Sequence, residues 1–339
     1  MHRFGFIIAL LGISAWASAQ VGGQRSFEFL NIPNTARTVG MGGLNVSSPY
    51  EDVNLALSNP ALASDSLVGK ASFNYLDYFA DASVLSTVYQ FKLAGNQTWF
   101  IGINHVDYGD FDSFDATGAG LGTVSASETA VSMGTSWQKG NFILGTSIKF
   151  LNSSLAGFNS TALVTDLGGL FVHPNRSFTA GLVFKNIGMI LSDYSDIDDS
   201  TLPFDVQIGA TFKPKYMPFR FTFTGYNLSQ GDIAYFDPDN GPAGEEEPGT
   251  FDRIFRRMAI GAELLLSKNI NLRAGYNHLV RQELKLEDTA AGAGFSFGLM
   301  FRIKAFEFAY SRGVYHAAGG ANSFTLTADT NSFFRKRKL

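Results

Sequence analysis

Phe219-Arg220-Phe221-Thr222-Phe223-Thr224 decides the fold. Every second residue is a phenylalanine and the residues between them are polar, a period of two that an extended strand sorts onto separate faces. The same phase runs through Phe204, Val206, Ile208, Ala210 and Phe212, through Ile270, Leu272, Ala274 and Tyr276, and through Phe306, Phe308 and Tyr310. Their alternates are Asp205, Gln207, Gly209 and Thr211, then Asn271, Arg273 and Gly275, then Glu307, Ala309 and Ser311. Helical spacing fits none of these windows.

Worked outward, the pattern predicts fourteen strands, near 66–78, 83–94, 97–108, 121–138, 141–152, 157–173, 176–186, 202–213, 217–227, 251–267, 270–280, 289–303, 305–313 and 320–330. Tight breaks at Gly95-Asn96, Lys139-Gly140, Pro174-Asn175, Lys268-Asn269 and Lys304 interleave with loops near 109–120, 187–201, 228–250, 281–288 and 314–319. An antiparallel meander with unlike ends has this form. Outer-membrane barrels combine an even strand number, short turns at one end, long loops at the other, and apolar-out, polar-in strands. Strand length fits a tilted crossing, which takes about 9–11 residues. A secreted β-sandwich or propeller would also space short strands regularly. Neither requires unlike ends, nor large apolar residues on one face of nearly every strand with glycine, serine or charge on the other. Lys139, Lys213, Lys215, Lys268 and Lys304 mark the tight turns, whereas the long loops are acidic. The expected fold is all-β, a transmembrane antiparallel β-barrel of 14 strands over 66–330.

Composition narrows the alternatives. With 45% hydrophobic and only 17% charged residues among 339, the chain has too much apolar surface to stay disordered. It has no cysteine, which excludes a disulfide scaffold, a thiolate metal site and a lipoprotein anchor. A net charge of −4 gives no basic field for nucleic acid. Met1-His2-Arg3, the apolar run Phe4 to Trp16 and Ala17-Ser18-Ala19 have the form of a cleaved signal peptide over 1–19. After residue 20 no stretch of 18 predominantly apolar residues occurs, so no helical span is expected. Arg335-Lys336-Arg337-Lys338 lies in a basic tail, 331–339, expected on the periplasmic side.

Residues 20–65 do not alternate. Glycines at 40, 42 and 43 and the run Asn59-Pro60-Ala61 sit among small and polar residues, and the apolar set Phe27, Phe29, Leu30, Val39, Met41 and Leu44 would find little use in water. The segment is expected inside the barrel as a plug, with Gly40, Gly42, Gly43, Asn59, Pro60 and Ala61 as its motif. A free periplasmic arm is the alternative.

The run Ser26-Phe27-Glu28-Phe29-Leu30-Asn31-Ile32-Pro33, then Ala36-Arg37 to Gly43, then Asn59-Pro60-Ala61-Leu62, resembles the start of PorQ proteins, members of the FadL-like barrel superfamily. The match covers about 45 residues, and the related PorV branch shares its Ala-Arg and Gly-Met-Gly elements. The resemblance implies fourteen strands with an amino-terminal plug. It also implies a place in the type IX secretion system, in the surface attachment complex with PorU, PorV and PorZ that joins cargo to lipopolysaccharide, where the barrel would anchor PorZ. FadL itself carries fatty acids, so transport of hydrophobic small molecules across the outer membrane is the alternative the same resemblance allows.

Other motifs have plainer readings. Gly294-Phe295-Ser296-Phe297-Gly298 matches a nucleophile-elbow string but lies in an alternating strand, without the strand-to-helix turn that chemistry needs. His105, His173, His278 and His316 form no recognisable cluster. Gly118-Ala119-Gly120-Leu121-Gly122 has no helix after it to cradle a phosphate. No catalytic, cofactor or metal-binding residue is therefore expected. Asp107, Asp110, Asp112 and Asp115 fall in one loop, Asp193, Asp196, Asp198 and Asp199 in a second, and Asp232, Asp237, Asp239, Glu245, Glu246 and Glu247 in the longest. Asp237-Pro238-Asp239-Asn240-Gly241 has some character of a calcium loop but lacks the remaining ligands. Hydrated loops, or a docking rim for a basic partner, account for the others. Asp110, Asp112, Asp115, Asp196, Asp198, Asp237, Asp239 and Glu245–Glu247 are the partner-binding candidates. The polar phase carries Lys92, Lys149, Lys185, Asp205, Arg220, Glu263, Arg273, Arg302 and Glu307. Both signs are present, which predicts pairing across a filled lumen rather than the single-sign rings of a selective channel.

Overall fold

Each alternating stretch becomes a strand, and the ladder they build has no edge. The computed structural model describes residues 25–334 apart from 80, 94, 96, 116, 196–199, 232, 235–247, 285–291 and 317–318. Its fourteen strands form a closed antiparallel barrel in sequence order. They are β1 (Lys70–Asp77), β2 (Ser83–Lys92), β3 (Thr98–Phe114), β4 (Gly120–Lys139), β5 (Phe142–Leu155), β6 (Phe158–Val172), β7 (Phe178–Ser192), β8 (Asp205–Phe212), β9 (Phe219–Gly225), β10 (Met258–Leu265), β11 (Ile270–Asn277), β12 (Phe295–Ile303), β13 (Phe306–His316) and β14 (Gly319–Asp329). β1 closes on β14 with Lys70 opposite Asp329 and Asp77 opposite Asn322. Closure is what hydrocarbon demands, because an open edge there leaves N–H and C=O groups with no water to bond.

The two faces separate by chemistry. Phe73, Ile103, Phe150, Ile208, Phe297 and Phe324 point outward and are exposed, while Asn74, Ser147, Gln207, Glu263, Ser296 and Thr325 are buried inside. Among the described residues no helix is long and apolar enough to cross a membrane. The strands instead carry an exposed apolar girdle, the kind of surface by which outer-membrane barrels cross a bilayer. The signal-peptide residues 1–19 and the tail residues 335–339 lie outside the described residues.

The barrel wall is uneven. β3 to β7 run 14 to 20 residues, whereas β8 to β12 run 7 to 9. Two short helices stand at the low side, α2 (Thr250–Phe255) and α3 (His278–Leu284), while α1 (Ala36–Gly40) belongs to the amino-terminal segment. Residues 251–255 and 278–280 are thus helical where alternation predicts strand. Phe251, Ile254 and Phe255 follow helical spacing, and Asp252 reaches Arg256 one turn on at 2.5 Å. Conversely 109–114 and 187–192, predicted as loop, extend β3 and β7. Asp110 and Asp112 therefore sit on an exposed ladder opposite Ser125 and Thr123, past a register shift after Asp107, rather than in a loop. The long connections are 193–204, 226–257 and 278–294, all at one end. At that same end β1 and β2 are joined by only 78–82 and β5 and β6 by 156–157.

Inside the wall lies the amino-terminal segment. Its local structure comes from side-chain caps rather than periodicity: Thr35 caps α1 (Ala36–Gly40) in a reciprocal box with Thr38, and Asp52, Asn59 and Ser64 cap three 3-10 turns at Val53–Leu57, Pro60–Leu62 and Asp65–Leu67. Phe27 and Phe29 begin at the long-loop end, packed in a buried cluster with inward-facing Leu76, Val84, Val106 and Leu151. Ser26 N donates to Thr201 O there at 3.0 Å. Further along, Ala36 N donates to Thr325 Oγ1 (3.0 Å) and Ser311 Oγ to Ala36 O (2.5 Å). Near the short turns Gln90 Nε2 donates to Val53 O (3.1 Å) and Ser136 Oγ to Ala63 O (2.7 Å). The segment thus descends the lumen and floors it before entering β1.

Candidate functional site

The floor of the lumen is fastened by charge. Glu263, fully buried on β10, accepts from Arg37 Nη2 of α1 at 2.7 Å, from Arg220 Nη1 of β9 at 2.9 Å and from Arg273 Nε of β11 at 3.3 Å. Arg220 Nη2 also reaches Glu51 Oε1 of the segment at 2.7 Å. Arginine suits this junction because its planar fork serves several carboxylate oxygens at once. Lys149 pairs with Asp166 at 2.6 Å and Arg302 with Glu307 at 2.6 Å. Lys92 does not face the lumen interior. It stands exposed at the short-turn rim, paired with Asp65 at 2.7 Å, because β2 ends there.

Above the floor, beside α1 and beneath the low wall, a cavity of about 420 Å3 remains. That is within the range of small-molecule sites. Leu30, Ile32, Val39, Leu57, Val280 and Phe295 give it apolar walls, and Lys185, Asp205, Gln207, Tyr226, Asn277 and Ser296 give it polar ones. Most of the polar set is internally bonded: Tyr226 Oη donates to Asn277 Oδ1 (2.8 Å), Asn277 Nδ2 to Gly42 O (3.1 Å), and Gly42 N to Ser296 Oγ (3.2 Å). Ser296 is therefore held by the backbone of the segment, and among the described residues no histidine hydrogen-bonds it.

The plug-motif residues occupy close contacts. Gly40 faces Ser311, whose Oγ a Cβ would approach to 2.6 Å, and Gly42, at φ 84, lies against the Tyr276 carbonyl. Gly43 also has a positive φ, 95, with open space where a Cβ would stand. Asn59 Oδ1 accepts from Ala61 N (3.0 Å) while its Nδ2 donates to Val46 O (2.9 Å), and the Asn59-Pro60-Ala61 turn presses on Gly168 and Gly145 of the wall. A Cβ at either wall glycine would overlap that turn. These wall glycines, Arg37, Glu51 and the inward Leu76–Val84–Val106 layer were not singled out from sequence. The signal of the wall glycines and of the Leu76–Val84–Val106 layer is a glycine or apolar residue on the polar phase; Arg37 and Glu51, in a segment without period, have no such signal.

Of the acidic candidates, Asp115 accepts from Thr117 N (2.8 Å) and Ala119 N (2.9 Å) and shapes the β3–β4 turn, and Asp110 and Asp112 are exposed. Asp196, Asp198, Asp237, Asp239, Glu245, Glu246 and Glu247 lie outside the described residues. Among the described residues no group of three or more carboxylates and histidines is placed to hold a metal.

At the long-loop end α2 and α3 are clasped: Asp252 Oδ1 meets His278 Nε2 at 2.8 Å, and His278 Nδ1 meets Tyr276 Oη at 2.8 Å. Partial burial alone would raise the Asp252 carboxyl, but the Arg256 and His278 hydrogen bonds outweigh it and hold the carboxyl below its ordinary value.

The closed fourteen-strand barrel is similar in fold to solved outer-membrane barrels. The Pseudomonas putida toluene transporter TodX superposes with a TM-score of 0.52 at 13% identity, over 88% of this chain and 96% of that one. The fold is FadL-like. A Pseudomonas aeruginosa FadL homologue gives a TM-score of 0.50 at 12% identity, over 88% and 98%. At these identities the likeness is one of fold. No family model matches the chain, for PorQ or any other family, and no curated protein matches it in sequence.

Proposed function

We propose that this barrel is an outer-membrane carrier for a small apolar or amphiphilic molecule, closed to ions by its amino-terminal segment acting as a plug, with the long loops outside the cell and the carboxyl terminus in the periplasm. The observation that carries this reading is the half-apolar cavity of about 420 Å3 between plug and wall. The solved relative of similar fold described as a toluene transporter supports it. Among the described residues Ser296 accepts from Gly42 N and hydrogen-bonds no histidine.

The test is uptake. Cells carrying the protein in their outer membrane take up radiolabelled toluene faster than cells without it, and Leu30→Trp, which pushes a larger ring into the cavity, lowers the gain. Equal uptake with and without the protein contradicts the proposal.

A second reading, a scaffold of the type IX attachment complex, is favoured by the residues at 26–43 and 59–62 that resemble PorQ proteins. On this reading the acidic loop residues contact surface proteins resembling PorZ, PorU and PorV, with lipopolysaccharide nearby. Affinity isolation of the tagged protein, with and without 230–248, recovers a large surface protein only from the intact chain if that loop docks it. Equal recovery removes the loop from the reading.

A further inference from the structure

α2 carries its amphipathic character the wrong way round for a helix in water. Phe251, Ile254 and Phe255 share one helical face, by their i, i+3, i+4 spacing, and are 80%, 52% and 38% exposed. The polar residues between them bond to the protein. Asp252 Oδ1 meets His278 Nε2 at 2.8 Å, Arg253 Nε donates to Pro248 O at 3.0 Å, and Arg256 Nε donates back to Asp252 Oδ2 at 2.5 Å. A surface helix of a soluble protein does the reverse, burying its apolar stripe and wetting its polar side.

Two features set this face against hydrocarbon. The first is its continuity with the apolar girdle. The Phe255 ring meets that of His278 edge-on at 6.1 Å between centroids, His278 lies 6.0 Å from Tyr276, and Tyr276 stands on the outer phase of β11 opposite Ile260 of β10. The second is the shortness of the strands beside it. β9, β10 and β11 have 7, 8 and 8 residues, whereas a tilted crossing takes about 9–11. The low wall alone therefore presents too few outward rows to span the hydrocarbon, and α2, leading directly into β10, stands where the missing rows would be.

We propose that α2 is an interfacial membrane helix, its Phe251–Ile254–Phe255 face seated in the acyl-chain boundary of the leaflet at the long-loop end. Lipid covers this face, because a protein partner or a second copy would have to lie at the level of the bilayer to reach a stripe that runs on into the girdle. Aromatic and aliphatic residues on one side of such a helix, with arginines on the other, are the composition that this depth selects, and Arg253, Arg256 and Arg257 supply the second half. Through the Asp252–His278 contact the leaflet also positions α3, whose Leu279 and Val280 line the cavity. The proposal depends on the barrel standing in a bilayer and not on what the cavity carries.

The chain has no cysteine, so a nitroxide label can be attached at one chosen position at a time. The full-length protein carrying Phe251→Cys, or separately Ile254→Cys, is labelled and reconstituted in phosphatidylcholine bilayers. Collisions of the label with oxygen, which concentrates in hydrocarbon, are then compared with collisions with a water-soluble nickel chelate. Phe297→Cys in the girdle and Asp110→Cys on the exposed extension of β3 serve as references for lipid and for water. The oxygen-to-nickel ratio at both α2 positions is expected to be several-fold above that of the Asp110 position and close to that of the Phe297 position. A ratio like that of the Asp110 position overturns the proposal and leaves the barrel in the membrane. Few collisions with either reagent overturn it as well and show that protein covers the face. A water-like ratio at the Phe297 position overturns the membrane reading and the proposal together. The two α2 positions are read independently, so the comparison stands if one variant fails to fold.

Discussion

Glu263 holds three arginines from three different elements, and its removal takes the ion-pair partner from Arg37 and Arg273 while Arg220 keeps Glu51. Glu263→Gln keeps the shape but leaves Arg37, Arg220 and Arg273 facing a neutral amide, a change of the kind that costs about 3–5 kcal/mol for a buried pair. The expected result is a clear fall in the urea midpoint of unfolding, with cleavage of the 26–67 segment by added protease appearing before the barrel opens. An unchanged midpoint would show that the junction is not under charge control. Alternation alone placed Glu263, Arg220 and Arg273 in the lumen, because phase is a property of each strand. It could not supply Arg37 or Glu51, which pair with them from a segment without period.

Among elements, the clasp between α2 and α3 is the one most open to pH. Asp252 is held below its ordinary value, so its carboxylate favours the clasped state while ionised. That contribution is fully present above about pH 4, where the unfolded carboxyl would also be ionised, and is lost as pH falls through the lower value of the clasped state. Hydrogen exchange of the α3 amides is expected to accelerate on acidification below pH about 4 beyond the change in the intrinsic rate, and Asp252→Asn to remove that dependence. A dependence that survives the substitution points to another group. Neither helix was legible: Phe251, Ile254 and Phe255 form a helical stripe too short to separate from the strand that follows at Met258, and 278–284 was divided between the end of a strand at 280 and a loop from 281. The extensions of β3 and β7 were hidden in the opposite way, since aspartates and glycines near 107–115 read as a turn although the ladder continues past a bulge.

At the scale of the molecule, the closed wall was legible because each strand repeats the same apolar-out, polar-in phase and the connections differ between the two ends. The interior was legible in its chemistry but not in its shape. Balanced charges at Arg220, Glu263, Lys149 and Glu307 implied pairing, while the cavity arises from a low wall at β8 to β12 and the path of a segment whose caps are local. The central claim is that the chain's own residues 26–67 fill the lumen of a closed barrel and leave no continuous water path for ions. Single-channel recording of the purified protein in planar bilayers tests this most directly. The account predicts no large, steady conductance from the intact protein and a porin-like step once 26–67 is deleted. A large, steady conductance from the intact protein would contradict it.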